Sequence, residues 1–464
     1  MKRHEFDAAI LGGGSAGYAA ARTLADAGRR VAVVEGGREV GGLCILRGCM
    51  PTKALLHAAD LRHAIEAARD WGISTGSVDV DIAALFARKD ALVAAFAAYR
   101  REQLESGRFG FFRTDARFAD PHTLVLDDGS SLTASSFVVA TGSETAPVPL
   151  PALERAGFIT SDDALRLERL PASLVVLGGG PVALEFAQFF ARMGTRVTVV
   201  QRGPRLLRGT DPDAARDLEA ALRREGIEIH TDTTLVDAAA DADGSGKSVT
   251  FRRGDETKTV RAEEIFHGLG RRPRTAGIGA DKAGIELRPS GHIVTDAHQR
   301  TTADHIFAAG DCCGPHEIVH LAVRQGEVAA GTILHPEAPP AMDYRLLTSV
   351  VFTDPAVATV GLTELGAAER GIPCIAESHP FNDHGKSMIL GCREGFVKLL
   401  ADPTTGELLG GACVGPQGGE LIHEIVVALS QRMTAAQLAA VPHYHPTLAE
   451  IWTYPAEALA ARVP

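Results

Sequence analysis

Ala8-Ala9-Ile10-Leu11-Gly12-Gly13-Gly14-Ser15-Ala16-Gly17 is an apolar run that breaks into glycines and then into alanine-rich sequence. The phrase returns as Leu174-Val175-Val176-Leu177-Gly178-Gly179-Gly180-Pro181-Val182-Ala183. In the same frame Gly28 falls on Gly194, Val31 on Val197, Val33 on Val199, Val34 on Val200 and Glu35 on Gln201. Each copy reads as strand, glycine turn, helix and second strand, the βαβ pattern. One G-x-G-x-x-G is weak evidence; two in register, each after an apolar strand and before a helix, are strong. Gly12, Gly14 and Gly17, like Gly178, Gly180 and Ala183, allow a tight turn and close backbone approach to a pyrophosphate. That group rests on the helix start, at Ser15 and Ala16 in the first copy.

The ends of the second strands separate the copies. A carboxylate at Glu35 can accept hydrogen bonds from the two hydroxyls of a ribose; the alternative is a solvated strand-end charge. The second copy has Gln201 there, followed by Arg202, Arg205 and Arg208. Removing a carboxylate and adding guanidiniums suits a 2′-phosphate, so NADPH is expected over NADH. The alternative is a basic surface loop.

A short step after the first unit the chain reads Gly41-Gly42-Leu43-Cys44-Ile45-Leu46-Arg47-Gly48-Cys49-Met50-Pro51-Thr52-Lys53. Regular helix geometry holds residues five apart at about 8–9 Å, too far for a disulfide. A Cys44–Cys49 bridge therefore needs a distorted backbone, which Gly48 can supply. Pro51 is tolerated only in a helix's first turn, so a helix is expected to start near Cys49. Its positive end favours a thiolate. The segment reads as a redox dithiol, as a structural disulfide or as two unrelated buried thiols.

At 464 residues the chain has room for about three domains. Formal net charge is −11, which offers no basic surface to nucleic acid or anionic membrane. No apolar run reaches the ~20 residues of a membrane helix, and the first residues lack a signal peptide's apolar stretch. The expectation is a cytoplasmic protein. Seven cysteines in a reducing compartment argue against a disulfide framework and for a catalytic pair.

An alanine-rich helix is expected from Lys53 to about Asp70, and strands from Gly107 to Phe137-Val138-Val139-Ala140-Thr141-Gly142. Gly268-Leu269-Gly270-Arg271-Arg272-Pro273 and Ile306-Phe307-Ala308-Ala309-Gly310-Asp311 follow the second unit. Asp311 can bond a cofactor's polyol chain, or can cap a helix beginning near His316. The remainder mixes strands at 349–352 and 395–400 with a helix near 420–433, a separate α+β domain. Near the end stands His443-Tyr444-His445-Pro446-Thr447-Leu448-Ala449-Glu450. Proline restricts the His445 backbone. Glu450 either closes a Thr-x-x-Glu capping box or holds the His445 imidazole as a triad carboxylate does. His443 is the alternative imidazole.

In this order the motifs resemble the pyridine nucleotide–disulfide oxidoreductases, which include glutathione reductase, dihydrolipoamide dehydrogenase and mercuric reductase. The resemblance spans essentially the whole chain and covers both glycine phrases, Cys-x4-Cys-x-Pro-Thr-Lys, Ala-Thr-Gly, Gly-Arg-Arg-Pro, Ala-Ala-Gly-Asp, Val-Phe-Thr-Asp-Pro and His-Pro-Thr-x-x-Glu. It implies an α/β fold with two Rossmann-like nucleotide-binding domains and a C-terminal α+β dimerisation domain. The expected segments are 1–146 and 270–343 for FAD, 147–269 for NAD(P)H and 344–464 for a homodimer interface. FAD would be held by the first glycine phrase with Glu35, Gly42, Lys53, Thr141, Gly142, Gly310 and Asp311. The nicotinamide nucleotide would meet Gly178, Gly180, Ala183, Arg202 and Arg208, and Gly270 and Arg271 would also be cofactor-binding.

The resemblance further implies that Cys49 is the charge-transfer thiol against the flavin and Cys44 the thiol that attacks substrate. His445, from the partner subunit, would be the acid–base, oriented by Glu450, and Lys53 and Glu185 would form an ion pair beside the cofactors. The expected function is an FAD-dependent NADPH:disulfide oxidoreductase acting on a small-molecule disulfide. The alternatives are an NAD-linked enzyme like dihydrolipoamide dehydrogenase, a flavin transhydrogenase or oxidase, and a non-catalytic scaffold. No metal site is expected.

Departures from the family pattern carry information. The usual Gly-Gly-Thr-Cys-x-Asn-x-Gly-Cys is here Gly-Gly-Leu-Cys-Ile-Leu-Arg-Gly-Cys, which removes two polar groups and adds the cation of Arg47. Arg47 either favours an anionic substrate or points to solvent. Pro181 replaces the tyrosine that gates the nicotinamide pocket of glutathione reductase. No cysteine follows Cys413, so a C-terminal thiol pair is missing from this sequence. Cys312 and Cys313, adjacent after Asp311, are expected to be buried rather than to deliver metal.

Overall fold

In the computed structural model, which describes residues 2–463, the apolar halves of the two glycine phrases become inner strands of two sheets, each paired in parallel with both neighbours. The chain divides into two units. One comprises Met1–Ala54, Ala83–Pro147 and Gly270–Met342; the other comprises Leu55–Ile82, Val148–Leu269 and Asp343–Pro464.

In the first unit, β1 (Arg3–Leu11) pairs in parallel with β2 (Val31–Val34) on one side and with the strand Ser131–Val139 on the other. Every residue of β2 is buried, as a strand covered on both faces must be. Ile306–Ala308 returns late in the sequence to pair with Ser131–Val139, so the sheet is completed by distant chain. Between β1 and β2 lies α1 (Ser15–Asp26), whose buried face is Ala16, Gly17, Ala19, Ala20, Ala21 and Leu24. These small residues let α1 approach the helix Val319–Leu334 closely: a methyl group on Gly326 would lie 2.2 Å from the Ala16 carbonyl oxygen. Next come α2 (Gly42–Arg47), α3 (Cys49–Ala67) and α4 (Ile82–Glu105). The start of α3 at Cys49 is where Pro51 puts it.

The second unit holds a four-stranded parallel sheet in the order Glu228–His230, Arg196–Val200, Ser173–Leu177 and Glu264–His267, beside a three-stranded antiparallel meander. It also holds a five-stranded antiparallel sheet that includes Thr348–Val351 and Phe396–Ala401, packed on the helix Gly418–Ser430 with Trp452 fully buried. The fold is thus α/β with two Rossmann-like sheets and a C-terminal α+β portion.

Residues 148–269 and 343–464 fall in one unit, and residues 55–82 join them from the expected 1–146 segment. Two buried cations account for this cohesion. The Arg192 guanidinium, 3% exposed, pairs with Asp60 at 2.6 Å, Glu225 at 2.6 Å and Asp354 at 2.8 Å. The Lys398 ammonium pairs with Asp211 at 3.2 Å and with Asp213 and Glu364, each at 2.6 Å. Deleting such a buried cation costs roughly 3–5 kcal/mol, because its partners are left desolvated and unpaired. The half-exposed Asp60 and Asp354 put Arg192 at the low end.

Candidate active site

The turn between β1 and α1 opens on a cavity lined by Gly12, Gly14, Glu35, Gly42, Thr141 and Gly142, together with Leu43, Leu46 and Arg47 of α2. Glu35 ends β2 as expected, and its carboxylate is already oriented. One oxygen accepts from the Gly13 amide at 2.8 Å and the other from the Gly37 amide at 2.7 Å. Thr141 Oγ1 is buried with no hydrogen-bond partner among the described residues. An orphaned hydroxyl is costly unless a ligand satisfies it. Glycine backbone, a fixed carboxylate and a waiting hydroxyl fit the flavin dinucleotide that the sequence resemblance implies. Gly36, Gly37, Thr114, Asp115 and Arg274 also line the cavity, and no motif had marked them.

Asp311 does not cap a helix, since the helix after it begins only at Val319. Its carboxylate accepts from Ser143 Oγ at 2.6 Å, and Ser143 Oγ in turn accepts from Arg271 Nε at 2.8 Å. Arg271 also donates to the Ser143 carbonyl at 2.9 Å. Gly270 and Gly310 flank this chain of bonds, both at positive φ. Cys312 and Cys313 are fully buried, as their position suggests.

Cys44 lies on α2 and Cys49 opens α3, with Gly48 between them in a non-helical conformation (φ −124°, ψ −116°). The break brings the two sulfurs into hydrogen-bonding contact, which a continuous helix would forbid. The hydrogen bond from Cys44 to Cys49, reinforced by burial, drives the Cys44 thiol far above the ordinary thiol range. Lys53, one turn along α3, pulls weakly the other way. Arg47 faces the cavity wall rather than solvent alone.

In the second unit Gly178 and Gly180 lead into the helix Pro181–Arg192, with Pro181 at its first position and Ala183 buried. Gln201 ends its strand where Glu35 ends β2, but its amide donates to the Arg205 carbonyl at 3.3 Å. Arg205 is spent on the carbonyls of Arg208 and Thr210, whereas Arg202 and Arg208 are exposed. Glu185 is 3% exposed, and its carboxylate accepts from the Phe352 amide at 3.0 Å.

The carboxylate of Glu450 accepts from His445 Nδ1, 3.1 Å from each of its oxygens. The capping-box alternative fails because the short turn begins at Ala449, with Leu448 rather than Thr447 in the capping position and no side-chain cap. His443 is no rival: its ring is held by Glu424 at 2.7 Å and by the Val441 carbonyl at 2.9 Å, and it is nearly buried. The His445 side chain is 78% exposed. A further imidazole, His384, reaches Glu450 Oε1 with Nε2 at 3.2 Å. Nothing in the sequence pointed to it, because it stands on a separate segment with no motif around it.

Residues 6–326 match the family model described as pyridine nucleotide-disulphide oxidoreductase, and residues 347–456 match that family's dimerisation domain. A dihydrolipoyl dehydrogenase from Thermus scotoductus is 36% identical, covering 98% of this chain and 97% of its own. A mercuric reductase from Streptomyces lividans is also 36% identical, covering 96% and 94%. The crystal structure of LpdA from Mycobacterium tuberculosis superposes with a TM-score of 0.86 at 28% identity, over 99% of this chain and 100% of that one. Among the described residues no helix is long and apolar enough to cross a membrane. With both domain models, full-length relatives and the paired thiols in agreement, the chain belongs to the pyridine nucleotide–disulphide oxidoreductases, enzymes that depend on FAD and NAD(P)H.

Proposed function

We propose that this enzyme moves an electron pair between a nicotinamide nucleotide and a small-molecule disulfide or dithiol through Cys44 and Cys49. The observation that carries the reading is the sulfur–sulfur hydrogen bond at the Gly48 break, on the helix whose Gly42, Leu43 and Arg47 line the first cavity. Gly12, Gly14, Glu35, Thr141 and Asp311 would hold FAD, which when bound supplies the two-electron relay between NAD(P)H and the dithiol. The division of 1–146 with 270–343 for FAD, 147–269 for nicotinamide nucleotide and 344–464 for the interface belongs to the same proposal, with Lys53 and Glu185 beside the cofactors.

The chain's own residues then act on sulfur and protons. His445 Nε2 takes the proton of Cys44, whose thiolate attacks one sulfur of the substrate disulfide; that bond breaks and a mixed disulfide forms. His445 Nε2 gives its proton to the leaving thiolate, while Nδ1 stays on Glu450. Cys49 attacks Cys44, the mixed disulfide breaks, the departing substrate sulfur takes up the Cys49 proton as the second thiol, and the Cys44–Cys49 disulfide forms. In reverse, His445 Nε2 takes a proton from a substrate thiol, whose thiolate attacks Cys44, breaks the Cys44–Cys49 bond and leaves Cys49 as the thiolate. The exposed His445 suits service in a second copy's site, and the dimerisation-domain match supports a homodimer.

The relatives named dihydrolipoyl dehydrogenase favour the NAD-linked, dithiol-oxidising alternative over NADPH-driven reduction. Gln201 with the exposed Arg202 and Arg208 keeps an NADP(H)-linked form in contention. One experiment orders these readings: steady-state rates with lipoamide, oxidised glutathione and coenzyme A disulfide using NADH and NADPH, and with dihydrolipoamide using NAD and NADP. Anaerobic reduction should also produce a long-wavelength thiolate-to-flavin absorbance that Cys49→Ser abolishes. Its survival in Cys49→Ser would overturn the role of Cys49. Absence of every disulfide activity, with oxidase turnover unchanged in Cys44→Ser, would sink the dithiol reading.

A further inference from the structure

We propose that His384 is a positioning residue that sets the basicity of the His445–Glu450 pair, an inference resting on the function proposed for that pair. Glu450 is a nearly buried carboxylate held between two imidazoles of opposite situation. His445 is largely exposed, whereas the His384 side chain is wholly buried. A carboxylate that serves only as a clamp for His445 needs one donor. This one has a second, on Oε1 at 3.2 Å.

The hydrogen-bond network fixes the state of His384. Facing an ionised carboxylate, Nε2 must carry the proton, because a carboxylate only accepts. Nδ1 lies 2.7 Å from Ser387 Oγ, in a site as dry as the ring itself. In the neutral ring Nδ1 is then the acceptor and the serine hydroxyl the donor. Burial holds the imidazole below its ordinary value, against the pull of Glu450, and His379 and His445 push it the same way as burial. The other ring facing His384 is Tyr454, edge-on at 6.1 Å, which itself stacks on His379 at 4.0 Å. The group that reaches Glu450 is therefore a neutral, uncharged donor with one tautomer.

Such a donor has two effects. It prevents rotation of the carboxylate, so that both oxygens stay presented to His445 Nδ1 at equal distance. It also occupies part of the carboxylate's negative charge, which lowers the stabilisation available to a protonated His445. Removing it should make His445 more basic and less well aimed.

The test uses the flavin-loaded protein and the substrate that gives the highest turnover. His384→Leu should cut kcat about tenfold and move the pH limb of kcat/KM assigned to His445 about one unit alkaline, the scale of one hydrogen bond to a charged group. His384→Gln keeps an amide donor for Glu450 and should restore both. Ser387→Ala, which frees the tautomer, should shift the limb less in the same direction. A folded His384→Leu variant whose profile superimposes on the parent's overturns the proposal. If that variant does not fold, an unshifted Ser387→Ala profile overturns it instead. Wild-type turnover in His445→Gln would mark failure of the underlying acid–base reading rather than of His384's part in it.

Discussion

A methyl group at Gly12 would land 2.3 Å from the Ala140 carbonyl oxygen, and one at Gly178 would land 2.3 Å from that of Gly268. The backbones there have φ +105° and +112°, and each glycine amide donates to the next strand, to Val34 at 2.8 Å and to Val200 at 2.9 Å. Up to that turn the two nucleotide units are the same object. They part at the strand end, where Glu35 clamps two amides and Gln201 gives its amide to a carbonyl. They part again at Thr141, a buried hydroxyl with no partner among the described residues. The glycine backbone is common to both turns, and the difference between them lies in a few side chains at the strand ends.

The sharpest way to break that comparison is to spoil each turn in turn. Gly12→Ala meets both a carbonyl clash and a left-handed φ, a strain of at least about 3 kcal/mol or more than a hundredfold in binding. It should yield protein without flavin absorbance at 450 nm, whereas Gly178→Ala should remain yellow and lose rapid reduction by NAD(P)H in stopped flow. Equal loss of flavin in both would refute separate duties for the turns. Glu35→Gln should weaken FAD ten- to a hundredfold by equilibrium dialysis, the worth of a charge-assisted hydrogen bond. Gln201→Glu combined with Arg202→Ala should move the NADH-to-NADPH ratio of kcat/KM toward NADH by about tenfold. A ratio that stays put would mean that the strand end does not read the ribose. Least of all, Thr141→Val should weaken FAD a few-fold while leaving the melting temperature of the flavin-free protein equal or higher, since an orphaned hydroxyl is replaced by a methyl.

The sequence disclosed what depends on short spacing. Both sheets followed from the paired glycine phrases, and Pro51 placed the start of α3 because proline admits few helix positions. His445 with Glu450 was legible as a constellation, although its rival reading as a cap fell only when the turn proved to begin at Ala449. What depends on long-range packing stayed hidden. His384 meets Glu450 through the C-terminal sheet, and Arg192 gathers Asp60, Glu225 and Asp354 from three distant segments. The alternative of a cap at Asp311 failed for a similar reason, since Ser143, remote in sequence and itself held by Arg271, donates to its carboxylate.

The contact of Gly326 with Ala16 has a consequence for biosynthesis. The helix Val319–Leu334 touches α1 backbone to backbone, and the strand Ile306–Ala308 is part of the same sheet. A ribosome must therefore emit the whole intervening stretch from 148 to 269 before the first βαβ unit acquires its last strand and covering helix. Flavin capture by a nascent chain is consequently a late event, and truncations anywhere before residue 334 should emerge colourless.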